Sequence, residues 1–371
     1  MDKKDNKVNG VYIPRSVNAE FRDTITDISY DHFGHRLALS STDHTIQIWD
    51  LSQDGTYQLT SKFRSHSGSV WKVTWAHPEF GQILATCSLD RTAIIWEEVL
   101  DATIDTKRSS NQTSHWAKRA TLVDSRTSLT DIRFAPKHLG LMLVTCATDG
   151  HVRIYEAPDI TNLSHWSLKD EFNCKMACSS ITWNQSRIHA PMLAVGSDDA
   201  NNPSPKVLIY EYNDHLRRWI KADAVASAMD PVHDLSFAPY IGRSYHLLGI
   251  ASKNVQIVTI KPSQTTNTAA VSLSSMHLQS DVLHHQTSAA TLMSQPPKFD
   301  IKTVAQFDDH LSQVWRVSWN ITGTILASSG DDGTVRMWKS NYLDNWKPLG
   351  VLNDNVSAQD TNQAADLDRD E

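Results

Sequence analysis

Short apolar runs that end in an aromatic residue recur along the chain, and a small polar run with an aspartate precedes each one. In four copies the aspartate stands six residues before the aromatic residue: Asp43 and Trp49, Asp90 and Trp96, Asp149 and Tyr155, Asp332 and Trp338. This pattern predicts a strand, a tight turn whose backbone is bonded by the aspartate, and a returning strand with the aromatic ring packed beneath it.

Two weaker copies complete the series. One returns at Tyr210 after a longer turn from Asp199 to Lys206, and the other returns at Val258 with Ser252 and Lys253 where the aspartate is expected. Repeats of roughly 40–50 residues with this ending are blades of β-propellers. We therefore predict an all-β chain that folds as a six-bladed β-propeller.

Each copy also has strands on either side of the turn. Upstream segments such as 70–75 and 314–319 alternate between apolar and polar residues. Outer-strand candidates follow every closing residue, at 57–63, 117–123, 166–172, 219–225, 299–307 and 346–352. Because each blade can be filled in chain order, no strand exchange between the chain ends is needed. The ring is therefore predicted to be open beside the first blade, near residues 11–21, and to accept a strand from a partner.

The upstream strands carry tryptophan pairs four residues apart, Trp71 with Trp75 and Trp315 with Trp319. Residues at this spacing face one side of a strand. We expect these rings to pack between adjacent blades rather than to form a ligand cage.

Composition sets the limits of the domain. We assign the propeller to residues 11–352, with a disordered N-terminal extension at 1–10 and an acidic disordered tail at 353–371. Two polar insertions interrupt the repeats, at 97–112 and 263–297, and we expect the second to be disordered.

Charge and cysteine usage exclude several classes of function. The net charge is −7 and there is no basic stripe, so nucleic-acid binding is not expected. The sequence contains no apolar run of membrane-spanning length and no secretory signal. Cys87 and Cys146 fall at matching places and are expected to be core thiols, and the pair Cys174 and Cys178 lacks the further ligands of a zinc site. We expect no metal and no cofactor, and a reducing compartment.

Several longer strings, which include loop residues, resemble the Seh-one nucleoporin family of WD-repeat proteins, relatives of the Sec-thirteen coat protein. These strings are residues 66–81, 122–128, 134–141, 152–159, 194–199, 230–234 and 312–320. The resemblance runs through all six repeats and implies a six-bladed WD40 propeller whose open ring is completed by a blade donated by a helical-solenoid nucleoporin.

The resemblance also implies a function. Such a protein is a scaffold subunit of the Y-shaped outer-ring complex of the nuclear pore, bound to its other subunits, and supports pore assembly and transport of protein and mRNA. It also implies membership of the GATOR-two complex, which relays amino-acid status to the target-of-rapamycin kinase. The implied locations are the nuclear envelope, the lysosomal surface and the kinetochore.

Two copies contain the residue types of a hydrolase triad. In copy two they are His66, Thr86 and Ser88, and Asp90, and copy six repeats them as His310, either Ser328 or Ser329, and Asp332. Recurrence in two blades argues against a single active site, and there is no G-x-S-x-G nucleophile elbow. The resemblance implies a buried structural network instead, and we expect no enzymatic activity. The residues assigned to this blade network are Asp43, Trp49, His66, Asp90, Trp96, Asp149, His310, Asp332 and Trp338.

Two other functions remain open. The first is a vesicle-coat scaffold of the Sec-thirteen type, which partner capture would distinguish. The second is a WD-repeat substrate adaptor that reads peptides on the propeller face. An arginine-rich rim of the central channel would favour the adaptor, and the sequence pattern does not reveal one.

Overall fold

The computed structural model describes residues 17, 19–64, 66–100, 114–263, 298–341 and 345–353. Its described part contains 24 strands in six four-stranded antiparallel sheets, and within each sheet the strands are neighbours in chain order. The prediction of an all-β six-bladed propeller is confirmed. The interpretations of residues 1–10, 264–297 and 354–371 lie outside the described residues.

The strands are numbered from the innermost to the outermost within each blade. Blades 1 to 3 comprise β1 Ile25–Tyr30, β2 Arg36–Ser41, β3 Thr45–Leu51 and β4 Tyr57–Arg64; β5 Val70–Trp75, β6 Ile83–Ser88, β7 Ala93–Leu100 and β8 Ser114–Leu122; β9 Leu129–Phe134, β10 Met142–Ala147, β11 His151–Glu156 and β12 Ser167–Asn173.

Blades 4 to 6 comprise β13 Ser180–Trp183, β14 Met192–Gly196, β15 Val207–Asn213 and β16 Arg218–Ala224; β17 Asp234–Phe237, β18 His246–Ala251, β19 Val255–Pro262 and β20 Phe299–Phe307; β21 Val314–Trp319, β22 Ile325–Gly330, β23 Thr334–Ser340 and β24 Trp346–Asn353. Two short 3-10 helices, Pro78–Phe80 and Lys137–Leu139, follow β5 and β9. The six predicted outer strands are present as β4, β8, β12, β16, β20 and β24, and residues 97–100 of the expected insertion extend β7.

The aspartate of the repeat shapes the turn between the second and third strands. In blade 2 the Asp90 carboxylate accepts the backbone N–H of Thr92 at 3.0 Å, and in blade 6 Asp332 accepts that of Thr334 at 3.1 Å. The residue after the aspartate has a positive φ: 71° at Arg91 and 68° at Gly333. An aspartate that bonds the backbone two residues ahead is the standard way to hold such a turn.

Apolar cores lie between neighbouring blades. One cluster joins blades 1 and 2, and others join 2 and 3, 3 and 4, 4 and 5, and 5 and 6. Each cluster combines one face of a blade with the opposite face of the next. We call the face that points to the next blade the forward face; Ala85 and Ile95, paired across β6 and β7, belong to the forward face of blade 2.

Aspartates of the innermost strands tie alternate pairs of blades together. Asp27 accepts the backbone N–H of Val73 at 3.2 Å, joining blade 1 to blade 2. Asp131 and Asp234 accept backbone N–H groups of the next blade in the same way, from Ile181 and Val317. These carboxylates fix the position of the following inner strand, because each satisfies a buried donor in it.

Candidate interaction site at the open side of the ring

The predicted blade network of blade 2 is a continuous hydrogen-bonded chain. Trp96 Nε1 donates to Thr86 Oγ1 at 3.1 Å, Thr86 Oγ1 lies 2.8 Å from His66 Nε2, and His66 Nδ1 lies 3.1 Å from Asp90. A carboxylate can only accept, so Nδ1 carries the proton and Nε2 accepts from the Thr86 hydroxyl.

Blade 6 repeats this geometry with a serine. Trp338 Nε1 donates to Ser328 Oγ at 2.8 Å, Ser328 Oγ lies 2.8 Å from His310 Nε2, and His310 Nδ1 lies 2.9 Å from Asp332. Burial acts to raise the pKa of Asp332, but hydrogen bonds from His310 and Thr334 outweigh it and lower that pKa to about 2. The same opposition of burial and hydrogen bonds from His66 and Thr92 holds the pKa of Asp90 well below its usual range.

Blades 1 and 3 hold only part of the network. Asp43 accepts from Thr45 and from the backbone of Arg22, and Trp49 Nε1 donates to Gln47 instead of to a hydroxyl. In blade 3, Asp149 accepts the backbone N–H of His151 at 3.0 Å. We propose that all nine assigned residues stabilise their blades. Among the described residues, the complete series of hydrogen bonds from tryptophan to aspartate occurs in blades 2 and 6.

The serine, histidine and aspartate of blade 6 have the distances of a hydrolase triad, but their environment does not suit catalysis. Ser328 is 1% exposed, and its oxygen already accepts from Trp338. A nucleophile must be able to reach its substrate. The geometry therefore fits a structural network, in which each buried polar group is satisfied by the next.

The two members of each tryptophan pair differ in their surroundings. Trp75 and Trp319 pack between blades, since their Nε1 atoms donate to carbonyl oxygens of the preceding blade, Ser29 at 3.0 Å and Ser236 at 2.8 Å. Trp71 and Trp315 have exposed rings. The Trp315 ring nevertheless lies on the ring of His233, which precedes β17 of blade 5, with centroids 4.3 Å apart, so the expected contact between blades is made in part by Trp315. A register shift occurs between Val70 and Lys72, and again between Val314 and Arg316. Such a bulge breaks the two-residue alternation on which the prediction depended.

The forward face of blade 6 differs from that of every other blade. In blades 1 to 5 the forward-face positions are buried: Ala38, Ser40, Ile46, Ile48; Ala85, Cys87, Ala93, Ile95; Val144, Cys146, Val152, Ile154; Ala194, Gly196, Val207, Ile209; Gly249, Ala251, Val255, Ile257. In blade 6 the matching pairs are Ala327 with Met337 and Ser329 with Val335. Val335 is 38% exposed, and the other three are half-buried. Within the described residues, no apolar cluster covers this face.

The face of blade 1 on the other side of the opening is partly covered by its own chain. Leu37, Leu39 and Trp49 form a small cluster of their own, which is covered by Ala19 and Phe21 from the segment before β1. On the innermost strand, Ile28 and Tyr30 stay exposed, at 55% and 57%. Blade 1 therefore presents apolar side chains to the opening, partly covered by its own N-terminal segment.

One side chain bridges the inner rim of the opening. Arg316 of β21 donates to the Thr26 carbonyl oxygen at 2.9 Å, and its Nε lies 3.6 Å from Asp27. This contact joins the two blades near the channel axis. An exposed apolar blade face is the kind of surface against which an added β-element can pack.

The channel wall contains charges that the sequence pattern did not reveal. Lys72 and Arg316 both lie 3.6 Å from Asp27, and Arg133 lies 3.4 Å from Asp131 and 3.5 Å from Asp234. Each cation therefore has a carboxylate partner. The aspartates occupy matching places in the predicted upstream strands, and that recurrence was the available signal.

The described part of the chain holds no group of three or more His, Cys, Asp or Glu side chains that could bind a metal ion. Cys87, Cys146, Cys174 and Cys178 are buried free thiols. No helix in the described ranges is long and apolar enough to cross a membrane.

Comparison with known proteins identifies the repeat and the relatives. The WD domain, G-beta repeat family matches residues 15–50, 57–97 and 301–339, which contain three copies with the aspartate and tryptophan ending. Nucleoporin SEH1-A of Xenopus laevis is 54% identical over 345 residues, covering 92% of this chain and 89% of that protein. Nucleoporin SEH1 of Homo sapiens is 53% identical over 350 residues, covering 94% and 90%.

Similarity to solved structures is more general. A chain from a crystal structure of the mitotic checkpoint complex matches with a TM-score of 0.56 and 14% identity, covering 86% of this chain and 76% of that one. At this level of identity the match shows the fold alone.

Proposed function

The chain belongs to the nucleoporin SEH1 family of WD-repeat proteins, and on this premise we propose that it is a non-catalytic scaffold subunit of the nuclear pore complex. We assign it to the Y-shaped outer-ring complex at the nuclear envelope, where it supports pore assembly and the transport of protein and mRNA. The proposal extends to the GATOR-two complex at the lysosomal surface and to the kinetochore, as the family resemblance implies.

The proposed mode of partner binding rests on the uncovered forward face of blade 6. Val335 and Met337 are apolar residues at positions whose counterparts in the other five blades are buried. Burial of such side chains is favourable in proportion to the apolar area removed from water. We propose that a helical-solenoid nucleoporin donates a blade that packs between this face and blade 1. Backbone pairing and side-chain packing would then act together, which favours a long-lived complex.

The absence of an enzymatic activity is part of the proposal. The hydroxyls of Thr86 and Ser328 are buried within the blade networks, and the family is one of scaffolds. A hydrolytic turnover that is lost in His66→Ala or His310→Ala while the fold persists would contradict it.

Affinity purification of the tagged full chain tests the assignment. We expect the solenoid nucleoporin and other outer-ring subunits to be retained, with GATOR-two subunits in a second pool. Recovery of vesicle-coat subunits instead would favour the Sec-thirteen type of scaffold, and recovery of a ubiquitin ligase would favour the substrate adaptor. Either result would overturn the assignment.

Co-expression with the recovered solenoid nucleoporin provides a second test. The complex should melt at a higher temperature than the lone chain, because the partner binds only the folded propeller. Equal melting temperatures at saturating partner would count against a donated blade.

A further inference from the structure

A cavity of about 410 Å³ lies where the innermost strands β1, β5, β9 and β13 end. Its floor is buried and small, formed by Ala76, Ala135 and Pro136. It is therefore formed by residues of blades 1 to 4. Ligand sites commonly have volumes of about 300–1,000 Å³, so this cavity suits one or two side chains of a partner and not a folded domain.

Positive and titratable groups converge on this cavity. Its lining includes His32 from blade 1, His77 from blade 2, Lys137 and His138 from blade 3, and Arg187 from blade 4. None of its lining residues is a carboxylate, although the chain as a whole has a net charge of −7. The cavity is thus a local reversal of the overall charge, and such a concave positive surface concentrates anions.

One carboxylate stands just outside the lining. Glu79 lies 3.2 Å from Lys137 and 3.8 Å from His77 Nδ1, and its side chain is 61% exposed. An exposed ion pair of this kind contributes little, because solvent screens it. Glu79 therefore reduces the positive potential of the cavity without cancelling it.

The environment of the cavity disfavours the protonated form of two of its histidines. Burial lowers the pKa of His77, and the charges of Lys137 and His32 lower it further. Burial likewise lowers the pKa of His138, together with the charge of Arg187. An anion placed among these groups would pair with Lys137 and Arg187 and would favour the protonated form of the histidines.

Aromatic side chains surround the charged groups. Trp75 and Phe134 line the cavity, and the His32 ring stacks edge-on against Phe33 with centroids 5.1 Å apart. Trp75 and Phe134 are half-buried, whereas Phe33, which is not part of the lining, is exposed. A positive cavity with aromatic rings in and next to its lining suits a ligand that joins an anionic group to an apolar or peptide surface.

We propose that this cavity, which we call the basic cavity, is a docking site for an acidic peptide segment of another protein. A phosphorylated serine or threonine, or an aspartate or glutamate, would enter between Lys137, His138 and Arg187. The flanking peptide would then contact the aromatic rim. Guanidinium and ammonium groups form their strongest hydrogen bonds with carboxylates and phosphates.

Fluorescence anisotropy with the full chain tests this proposal. The probe is a labelled octapeptide with one phosphoserine flanked by aspartates, and its counterpart replaces these with serine and asparagines. We expect the acidic peptide to bind at least about tenfold more tightly, since it alone forms charge-assisted bonds. The double variant Lys137→Gln/Arg187→Gln should weaken the acidic peptide by about tenfold, because both cations are lost.

Two further variants sharpen the test. Lys302→Gln removes an exposed lysine that pairs with Asp300 on β20, and it should leave the affinity within about twofold because its charge is distant and screened. Glu79→Gln should tighten binding by about two- to threefold, because it removes the nearest competing carboxylate. Lys137, Arg187 and Glu79 are exposed, so the melting temperature of each variant serves as the check of folding.

Four results would overturn the proposal. The first three are an absence of binding up to about 1 mM peptide, equal affinity for the two peptides, and an affinity that the double variant leaves unchanged. The fourth is displacement of the peptide by pyrophosphate or ATP at concentrations below the Kd of the peptide. This result would assign the basic cavity to small anions instead.

Discussion

In blades 2 and 6, one aspartate takes part both in the turn and in the hydrogen-bonded blade network. Asp332 holds the turn through Thr334 and ends the chain of bonds that begins at Trp338. Asp90 has both roles in blade 2. Because both systems share the carboxylate, its removal leaves donors in each of them without an acceptor.

We expect Asp90→Ala and Asp332→Ala each to lower the free energy of unfolding by about 1–3 kcal/mol, the cost of leaving buried donors unpaired. Urea unfolding measures the change. Asp300→Ala is the matched control, since Asp300 is an exposed aspartate whose carboxylate pairs with Lys302 on its own strand. Its effect should stay within about 0.5 kcal/mol. Unchanged midpoints for both test variants would refute the structural role.

The lowered pKa of Asp332 predicts a pH dependence. A carboxyl whose pKa is depressed in the folded state stabilises the protein above its unfolded pKa, which for aspartate is about 3.9. That contribution is lost as pH falls through the folded pKa of about 2. The stability difference between the native chain and Asp332→Asn should therefore shrink from pH 4 towards pH 2. A difference that stays constant over this range would show that the carboxylate charge has no part in it.

Equivalent positions on the forward faces of two blades can be compared directly. Val335 of blade 6 and Ala93 of blade 2 occupy the same place in their forward-face pairs, but only Ala93 is fully buried. We expect Ala93→Lys to cost about 3–5 kcal/mol because it buries an unpaired charge. Val335→Lys should leave the stability of the lone chain within about 0.5 kcal/mol, as at other exposed positions.

Urea unfolding of the lone chain and capture of the solenoid partner measure the two effects separately. Val335→Lys should abolish capture without loss of the fold. Equal destabilisation by the two variants would mean that the forward face of blade 6 is covered within the chain itself.

The connection between β19 and β20 is expected to be dispensable. Pro262 pairs with Phe299, and the Ser263 N–H bonds the Lys298 carbonyl at 2.9 Å, so the ends of the insertion are adjacent. Replacing residues 264–297 with a short Gly-rich turn, and ending the chain at 353, should leave the melting temperature nearly unchanged. Loss of the cooperative melting transition in either variant would contradict this prediction.

The sequence predicts elements better than sites. Alternation located the outer strands within a few residues, since each is a half-exposed strand with a regular pattern. It failed at Trp71, where a bulge shifts the alternation. The basic cavity could not be predicted, because Lys137 and Arg187 come from different blades and meet only in the folded ring.

Five interblade cores stabilise the molecule as a whole, and the described residues form no sixth core between blades 6 and 1. Arg316 links the inner edges of blades 6 and 1, and Ala19 and Phe21 cover part of blade 1. The forward face of blade 6 has no such cover among the described residues. We therefore propose that this face is one half of an interface, and that a blade from the partner forms the other half.

Photocrosslinking from position 335 tests this claim most directly. A photoreactive phenylalanine analogue replaces Val335 in the full chain, and a second protein carries it at Leu168, an exposed control on the outer strand of blade 3. We expect irradiation in cell extract to link position 335 to the solenoid nucleoporin in high yield, and we expect no such product from position 168. Crosslinks from position 335 only to blade 1 of the same chain would show a ring closed on itself and would rule out a donated blade.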